Sequence, residues 1–219
     1  MILEHDGIEV DFFDKFPRDL HKVGIFLSGG ADSALILYLL VKMADERNQE
    51  LKIYPINGFE VTSPDCDSEK AAKGIIEFIR NKTSTDRIHD LYVHPMIQES
   101  KHKYYYIKPA LLYLRKKYNF YEFILGTSQG MPGDERPAIH EGTIAGNNLI
   151  ETSEKYDDLL LPWARVNKKF IAAQYIKFDL KELSDITNSC IVNSSTPCKE
   201  CWWCKERYWA FGSYDRGLQ

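Results

Sequence analysis

The stretch Ser28-Gly29-Gly30-Ala31-Asp32-Ser33 stands between two apolar runs, and that placement restricts the fold more than any other segment. Val23-Gly24-Ile25-Phe26-Leu27 before it has the length and composition of a buried parallel strand. Ala34-Leu35-Ile36-Leu37-Tyr38-Leu39-Leu40 after it reads as a buried helix. A strand therefore turns into a helix across two glycines, which allow a tight turn and a close approach of backbone to a ligand. The first amides of a helix have no intrahelical acceptor, and with the helix dipole they favour an anion. Ser28 and Ser33 add hydroxyl donors. Asp32 is the odd member: a carboxylate beside a phosphate makes sense chiefly with a divalent cation such as Mg²⁺ between them. The plainer alternative is an ordinary strand-to-helix turn with a Ser/Asp cap.

The rest of the chain alternates in the same way. Residues 1–20 suggest a short strand or hairpin, 23–27 a strand and 32–48 a helix. Leu51 to Ile56 reads as a strand ending at Asn57-Gly58. Ser68 to Asn81 reads as a helix whose Ala71, Ala72, Ile75, Ile76 and Ile79 share one face. Leu91–Val93 and Phe120–Leu125 read as strands, and Lys103–Tyr118, Lys168–Phe178 and Asp179–Ile186 as helices. Strands alternating with helices predict an α/β fold with a doubly wound parallel sheet. Ligands then collect at the carboxyl ends of the strands. The loops at 28–33, 56–65 and 126–150 all fall there.

Cysteine usage adds a second chemistry. The chain has five cysteines in 219 residues, and Cys190, Cys198, Cys201 and Cys204 crowd together, the last three as C-x-x-C-x-x-C. Two-residue spacers let successive thiolates turn onto one ion, and four thiolates suit a closed structural Zn²⁺ site. An iron–sulfur cluster is the competing reading, since four thiolates can also hold one; disulfides are a third. Cys66 stands apart and reads as an incidental thiol.

Bulk properties narrow the partners. Hydrophobic residues make up 44% and charged residues 27%, with a net charge of −4 and a pI near 5.9. That balance argues against a general nucleic-acid binder with a large basic surface, though not against a local basic cleft. No apolar run approaches the roughly 20 residues a membrane helix needs. Met1 to Val10 carries Glu4, Asp6 and Glu9 and does not read as a signal peptide. A cytoplasmic protein is expected, without a membrane partner, and in that compartment cysteines are more often metal ligands than disulfides.

Ser28–Ser33 is not a Walker loop, which needs four residues between its glycines and a following Lys. It resembles the SGGxDS signature of the PP-loop ATP pyrophosphatases, with their adenine-nucleotide-hydrolase-like α/β fold. Within that superfamily, Cys190, Cys198, Cys201 and Cys204 with the lead-in Thr187-Asn188-Ser189 resemble the C-terminal zinc motif of the 7-cyano-7-deazaguanine synthase family. Gly130-Met131-Pro132-Gly133-Asp134-Glu135-Arg136-Pro137 is similar to that family's G-Y-P-D-x-R-P-E loop, with a one-residue shift. Pro162 followed by Lys168 resembles the wider group's P-L-x-x-L-S-K pattern. These matches are islands between about residues 23 and 207. The family's D-Y-G-Q-x-H segment is replaced by Pro55-Ile56-Asn57-Gly58-Phe59-Glu60, Phe170 stands where an acidic residue is usual, and the stretch from Ile139 to Leu160 has no counterpart in the motif.

The resemblance implies an ATP-binding body over 1–186 and a zinc-binding tail over 187–219. It implies an AMP-forming C–N ligase that converts 7-carboxy-7-deazaguanine and ammonia into 7-cyano-7-deazaguanine, or an amide analogue, through an acyl-adenylate. The alternative is a divergent relative that adenylates another carboxylate or a tRNA base. Ser28, Gly29, Gly30, Asp32 and Ser33 would bind ATP and Mg²⁺, and Asp32 and Lys168 would serve the chemistry. Backbone at Ile56, Asn57 and Gly126 would hold adenine. Asp134 would accept from a guanine-like edge, and Arg136 would bind a carboxylate or phosphate. Asp134, Glu135, Arg136, Lys168 and Lys169 are also compatible with solvated turn or helix-end positions. Trp202, Trp203 and Trp209 read as the small core of a metal knuckle, and His140 as exposed. A homodimer is a family-level expectation.

Overall fold

Strand β3 (Lys22–Phe26) is the middle of five strands, and every pairing in its sheet is parallel. The computed structural model describes residues 1–58, 67–94, 112–120, 122–126, 128–131, 133 and 159–218. On one side of β3 lie β4 (Lys52–Gly58) and then β5 (Tyr92–His94); on the other lie β6 (Phe123–Leu125) and then β7 (Leu159–Leu160). Gly24 faces Tyr54 in one neighbour and Phe123 in the other. The five-stranded sheet thus begins at its centre, winds outward one way, and returns to build the other half. The carboxyl ends of β3 and β6 are neighbours where that order reverses, the point at which open α/β sheets take ligands.

Side-chain alternation along the strands explains the two layers. Val23, Ile25, Ile53 and Ile124 face one core with helix α1 (Ala31–Glu46) and helix α2 (Ser68–Thr83). Phe26, Tyr54, Ile56 and Leu125 face a second, smaller core that includes Leu114 and Phe120. Both faces are covered, so these strands read as apolar runs. Helix α1 is buried almost all round, with Leu35, Ile36, Leu37, Leu39 and Leu40 fully inside. Helix α2 buries the five residues its spacing predicts, Ala71, Ala72, Ile75, Ile76 and Ile79, and Asp67 caps it by accepting from the Lys70 amide.

The N-terminal expectation is met by a hairpin of β1 (Ile2–His5) and β2 (Ile8–Asp11). Asp6 and Gly7 both have positive φ, 50° and 74°, as a two-residue primed turn requires. Helices α3 (Lys168–Lys177) and α4 (Lys181–Ile186) lie close to the segments expected. Of the helix expected over 103–118, residues 112–118 are helical and the remainder falls outside the described residues. Two elements have no counterpart in the sequence reading. Strand β7 is too short for a periodic signal. Helix α5 (Trp202–Phe211) begins inside the cysteine motif and packs on α3. Among the described residues no helix is long and apolar enough to cross a membrane.

Candidate functional site

The Ser28–Ser33 turn adopts the shape its sequence predicts. Gly29 has φ +83°, a left-handed value that an L side chain adopts only with strain. Space excludes a side chain as well: a Cβ on Gly29 would stand 2.9 Å from Ala71 Cβ and 3.1 Å from the Ser68 carbonyl. Gly30 is the extended N-cap of α1 and supplies no side-chain cap, which leaves the amides of the first turn without an intrahelical acceptor. Ser33 Oγ donates to the Gly30 carbonyl at 3.2 Å and lies 3.3 Å from Ser28 Oγ. The two hydroxyls therefore flank the open end of the helix. The turn can cradle an anion through backbone N–H groups and the helix dipole.

Gly126 closes the neighbouring strand end against this turn. A Cβ there would lie 2.7 Å from both the amide nitrogen and Cα of Ser33. Ile56 and Asn57 hold the other side. The Ile56 carbonyl accepts from the Leu27 amide at 2.8 Å, extending the sheet to the edge of the turn. Asn57 is buried, and its Nδ2 donates to the Leu27 carbonyl at 2.8 Å while Ser68 Oγ donates to its Oδ1 at 3.2 Å. In this structure Asn57 ties the end of β3 to the start of α2.

Asp32 and Lys168 meet although they are far apart in sequence. Lys168 Nζ donates to Asp32 Oδ1 at 2.8 Å, and Ser128 Oγ donates to Oδ2 at 3.0 Å. Trp163 Nε1 donates to the Asp32 carbonyl at 3.1 Å, and Tyr175 donates its hydroxyl to the Ala31 carbonyl at 2.9 Å. Burial pushes the Tyr175 hydroxyl well above the ordinary phenol range, so it remains a neutral donor. A second carboxylate, Glu206 on α5, stands 3.7 Å from Lys168 Nζ. All three charged side chains are buried. A buried ammonium between two carboxylates is compensated, and Asp32, at one end of the set, belongs to the Ser28–Ser33 turn.

The cysteines converge as well. The sulfurs of Cys190, Cys198, Cys201 and Cys204 all lie within 4.8 Å of one another. Cys190 Sγ accepts from the amides of Asn193 and Cys198, each at 3.4 Å, and Cys198 Sγ accepts from the Cys201 amide at 3.3 Å. Such N–H donors favour thiolates. Burial opposes ionisation of Cys198, but the Cys201 and Glu200 amides outweigh it and hold the thiol down to about 7. At Cys204 burial dominates, with the Cys201 thiol adding to it, and the thiol is pushed far up. Without an ion, four crowded thiols of this kind resist ionising together. A cation among them reverses that.

Tail and turn are joined directly. The Asn188 amide donates to the Gly29 carbonyl at 2.9 Å. Asp215 accepts from the amides of Ser189 and Cys190 at 2.6 and 3.2 Å. Arg207 stands 3.4 Å from Asp215 and donates to Thr187 Oγ1 at 3.1 Å and to the Ser184 carbonyl at 2.9 Å. Burial draws the Arg207 guanidinium below its ordinary range, and the Asp215 carboxylate opposes that shift.

Asp134 and Arg136 lie outside the described residues, as do Glu135, His140 and Cys66. Nothing in the sequence singles out Ser128, Trp163, Glu206, Arg207 or Asp215, and Asn188 enters there only as part of the lead-in to Cys190. Each acts through contacts with residues distant in sequence, which local spacing does not announce. Trp202 and Trp203 do pack against each other, with ring centroids 5.8 Å apart, while Trp209 lies beneath the Lys169 ammonium at 4.9 Å.

No family model and no curated protein matches the chain. Among solved structures, it is similar to the U34-tRNA thiolase NcsA from Methanococcus maripaludis, described with its 4Fe–4S cluster, at 12% identity and a TM-score of 0.48. The match covers 78% of this chain and 64% of that one, so this chain spans less than two thirds of that protein's length.

Proposed function

We propose that the chain is an ATP-dependent enzyme of the PP-loop type that splits ATP between its α- and β-phosphates. The observation carrying this reading is the anion cradle of Ser28–Ser33 at the reversal point of the sheet, with Asp32 and Lys168 paired beside it. In this role the cradle amides and the Ser28 and Ser33 hydroxyls bind the pyrophosphate portion of ATP. Mg²⁺, when bound near Asp32, neutralises part of its charge. In this reading Lys168 turns its ammonium from Asp32 toward the departing pyrophosphate, where charge accumulates as the α-phosphate is attacked.

The substrate we propose is a 7-deazaguanine carboxylate, on the strength of the cysteine motif and the 130–137 stretch. Its carboxylate oxygen attacks the α-phosphorus, and the bond to pyrophosphate breaks, giving an acyl-adenylate. Ammonia adds to the acyl carbon, a proton is lost, and AMP leaves, which yields the amide. The amide oxygen attacks the α-phosphorus of a second ATP and pyrophosphate leaves; loss of AMP and of the nitrogen's protons then gives the nitrile. Asp134 and Arg136 are the proposed contacts to the heterocycle and its carboxylate.

For the tail we propose a structural Zn²⁺ held by Cys190, Cys198, Cys201 and Cys204. A tetrahedral ion with Zn–S of about 2.3 Å needs sulfurs about 3.8 Å apart, and the limit of 4.8 Å is close to that. An iron–sulfur cubane places each thiolate on a different iron and spreads them farther. The closed site would tie the tail to the body.

The test is ATP/pyrophosphate exchange with Mg-ATP across a panel of deazaguanine acids and amides, with ammonium present in a second series. AMP and a nitrile or amide from 7-carboxy-7-deazaguanine are expected. Exchange only with another carboxylate, or AMP release only with tRNA, would replace that substrate and keep the ATP chemistry. Mg-ATP binding without turnover on any substrate would make the chain a nucleotide-binding module.

A further inference from the structure

We propose that Arg207 and Asp215 are positioning residues that couple metal occupancy of the four-cysteine site to anion binding by the Ser28–Ser33 turn. The inference rests on the proposed anion site and goes beyond it, because a purely structural metal needs no link to the cradle.

The link is one continuous piece of backbone. Thr187–Cys190 ends in a metal ligand, and its Asn188 amide donates to the carbonyl of Gly29, the left-handed residue that shapes the turn. The Asp215 carboxylate holds two successive amides of this piece, those of Ser189 and Cys190, and also accepts from Ser189 Oγ at 3.3 Å. Arg207 holds the Asp215 carboxylate and, through Thr187 Oγ1, the other end of the same piece. Asn188 itself is turned inward, its Nδ2 donating to the Cys190 carbonyl and to Ser194 Oγ, both at 3.0 Å.

Both grips depend on the cysteines. Arg207 belongs to α5, whose N-cap is Cys201 and whose first turn holds Cys204, so an ion that gathers these thiolates fixes the start of that helix. A few residues on, the same helix carries Arg207 to the clasp and Glu206 to Lys168, which in turn meets Asp32. One rigid helix therefore touches the turn by two routes. The salt bridge of Arg207 with Asp215 is almost fully desolvated, with side-chain exposures of 2% and 1%. A buried pair of this kind is weak evidence for stability, because desolvation offsets its attraction, and in this proposal its role is to fix geometry.

Such a link is a coupling free energy and must be reciprocal. Zn²⁺ affinity is to be measured by competition with a chromophoric chelator, with and without saturating Mg-pyrophosphate. Pyrophosphate affinity is to be measured calorimetrically on zinc-loaded and zinc-free protein. Each ligand is expected to tighten the other by the same factor, about tenfold and within the roughly 5- to 150-fold range of such couplings. Arg207→Lys and Asp215→Asn should bring that factor toward one. A merely structural role for the pair would lower stability and both affinities and leave their ratio unchanged. The wild-type linkage tests the coupling itself, and the variants test the part of Arg207 and Asp215 in it. Independent binding of zinc and pyrophosphate would overturn the coupling while leaving the ATP reading standing. Failure of zinc-loaded protein to bind pyrophosphate would overturn both. A wild-type factor retained in both variants would remove Arg207 and Asp215 from the link.

Discussion

Lys168 Nζ lies 2.8 Å from Asp32 Oδ1, and both side chains are buried. Their partner elements are the first turn of α1 and the first residue of α3. A strand-end turn and a distant helix start are thereby joined by one charge pair at the site. Removing one member of a buried pair costs about 3–5 kcal/mol, because the other is left desolvated without its counter-charge. Lys168→Met should therefore lower the urea unfolding free energy by about that amount, and Asp32→Asn added to it should restore part of the loss. Additive effects in this double-mutant cycle would show that the pair does not act as one.

The glycines of the site predict a graded series. Gly29→Ala meets both a left-handed backbone, which costs about 1–2 kcal/mol, and a close contact with Ala71. Gly126→Ala would push on the Ser33 backbone and displace the start of α1. Both are expected to weaken Mg-ATP binding by more than about tenfold, equivalent to about 1.4 kcal/mol. Gly7→Ala, at φ +74° with no atom within 4 Å, carries the backbone strain alone and should leave ATP binding intact. Equal ATP affinity in all four proteins, measured by calorimetry, would rule out the turn as the anion cradle.

Metal removal should act on structure before activity. Chelation, or Cys204→Ser, should lower the melting temperature and reduce helical circular dichroism as α5 loosens. Trp202, Trp203 and Trp209 should report the change in fluorescence. Zinc uptake should release protons at neutral pH, because burial keeps the Cys204 thiol protonated, and its affinity should fall with falling pH, more steeply below about 7, where Cys198 also becomes protonated. One zinc per chain by elemental analysis is expected, and iron with acid-labile sulfide in its place would replace the zinc assignment.

His89 gives the fold its own pH dependence. Burial holds its imidazole below the ordinary value, Lys52 adds to the effect, and Asp90 opposes it. Its ring stacks on Tyr54 with centroids 4.2 Å apart. The folded protein therefore takes up this proton later than the unfolded chain as pH falls. Stability from the neutral ring is complete above about pH 6.5 and declines as pH drops through the lower folded value. His89→Gln should flatten the acid limb of a urea-midpoint profile below about pH 6.5. An unchanged profile would assign that limb to other groups.

The legible parts of the chain were those where one segment carries its own signal. The apolar runs around Ser28–Ser33, the spacing of Ala71 to Ile79 and the crowding of Cys198, Cys201 and Cys204 each express a local rule. They lead directly to β3, α1, the buried face of α2 and a compact thiolate cluster. Helix α5 was hidden because its aromatic residues, interrupted by cysteine and charge, show no amphipathic period. Glu206, Arg207 and Asp215 carry no signal in the sequence, since charged residues are seldom buried unless paired, and pairing is invisible along the chain.

Local sequence by itself determined the turn, the alternation that makes a parallel sheet, and the crowding of cysteines in the tail, because glycine freedom, side-chain period and cysteine spacing act within a few residues. The tertiary structure alone decided what stands beside what. It put Lys168 and Ser128 on Asp32, Gly126 against Ser33, and Asn188 on Gly29. Those contacts exist only because the sheet reverses its winding between β3 and β6 and brings separate strand ends, and then the tail, to one edge.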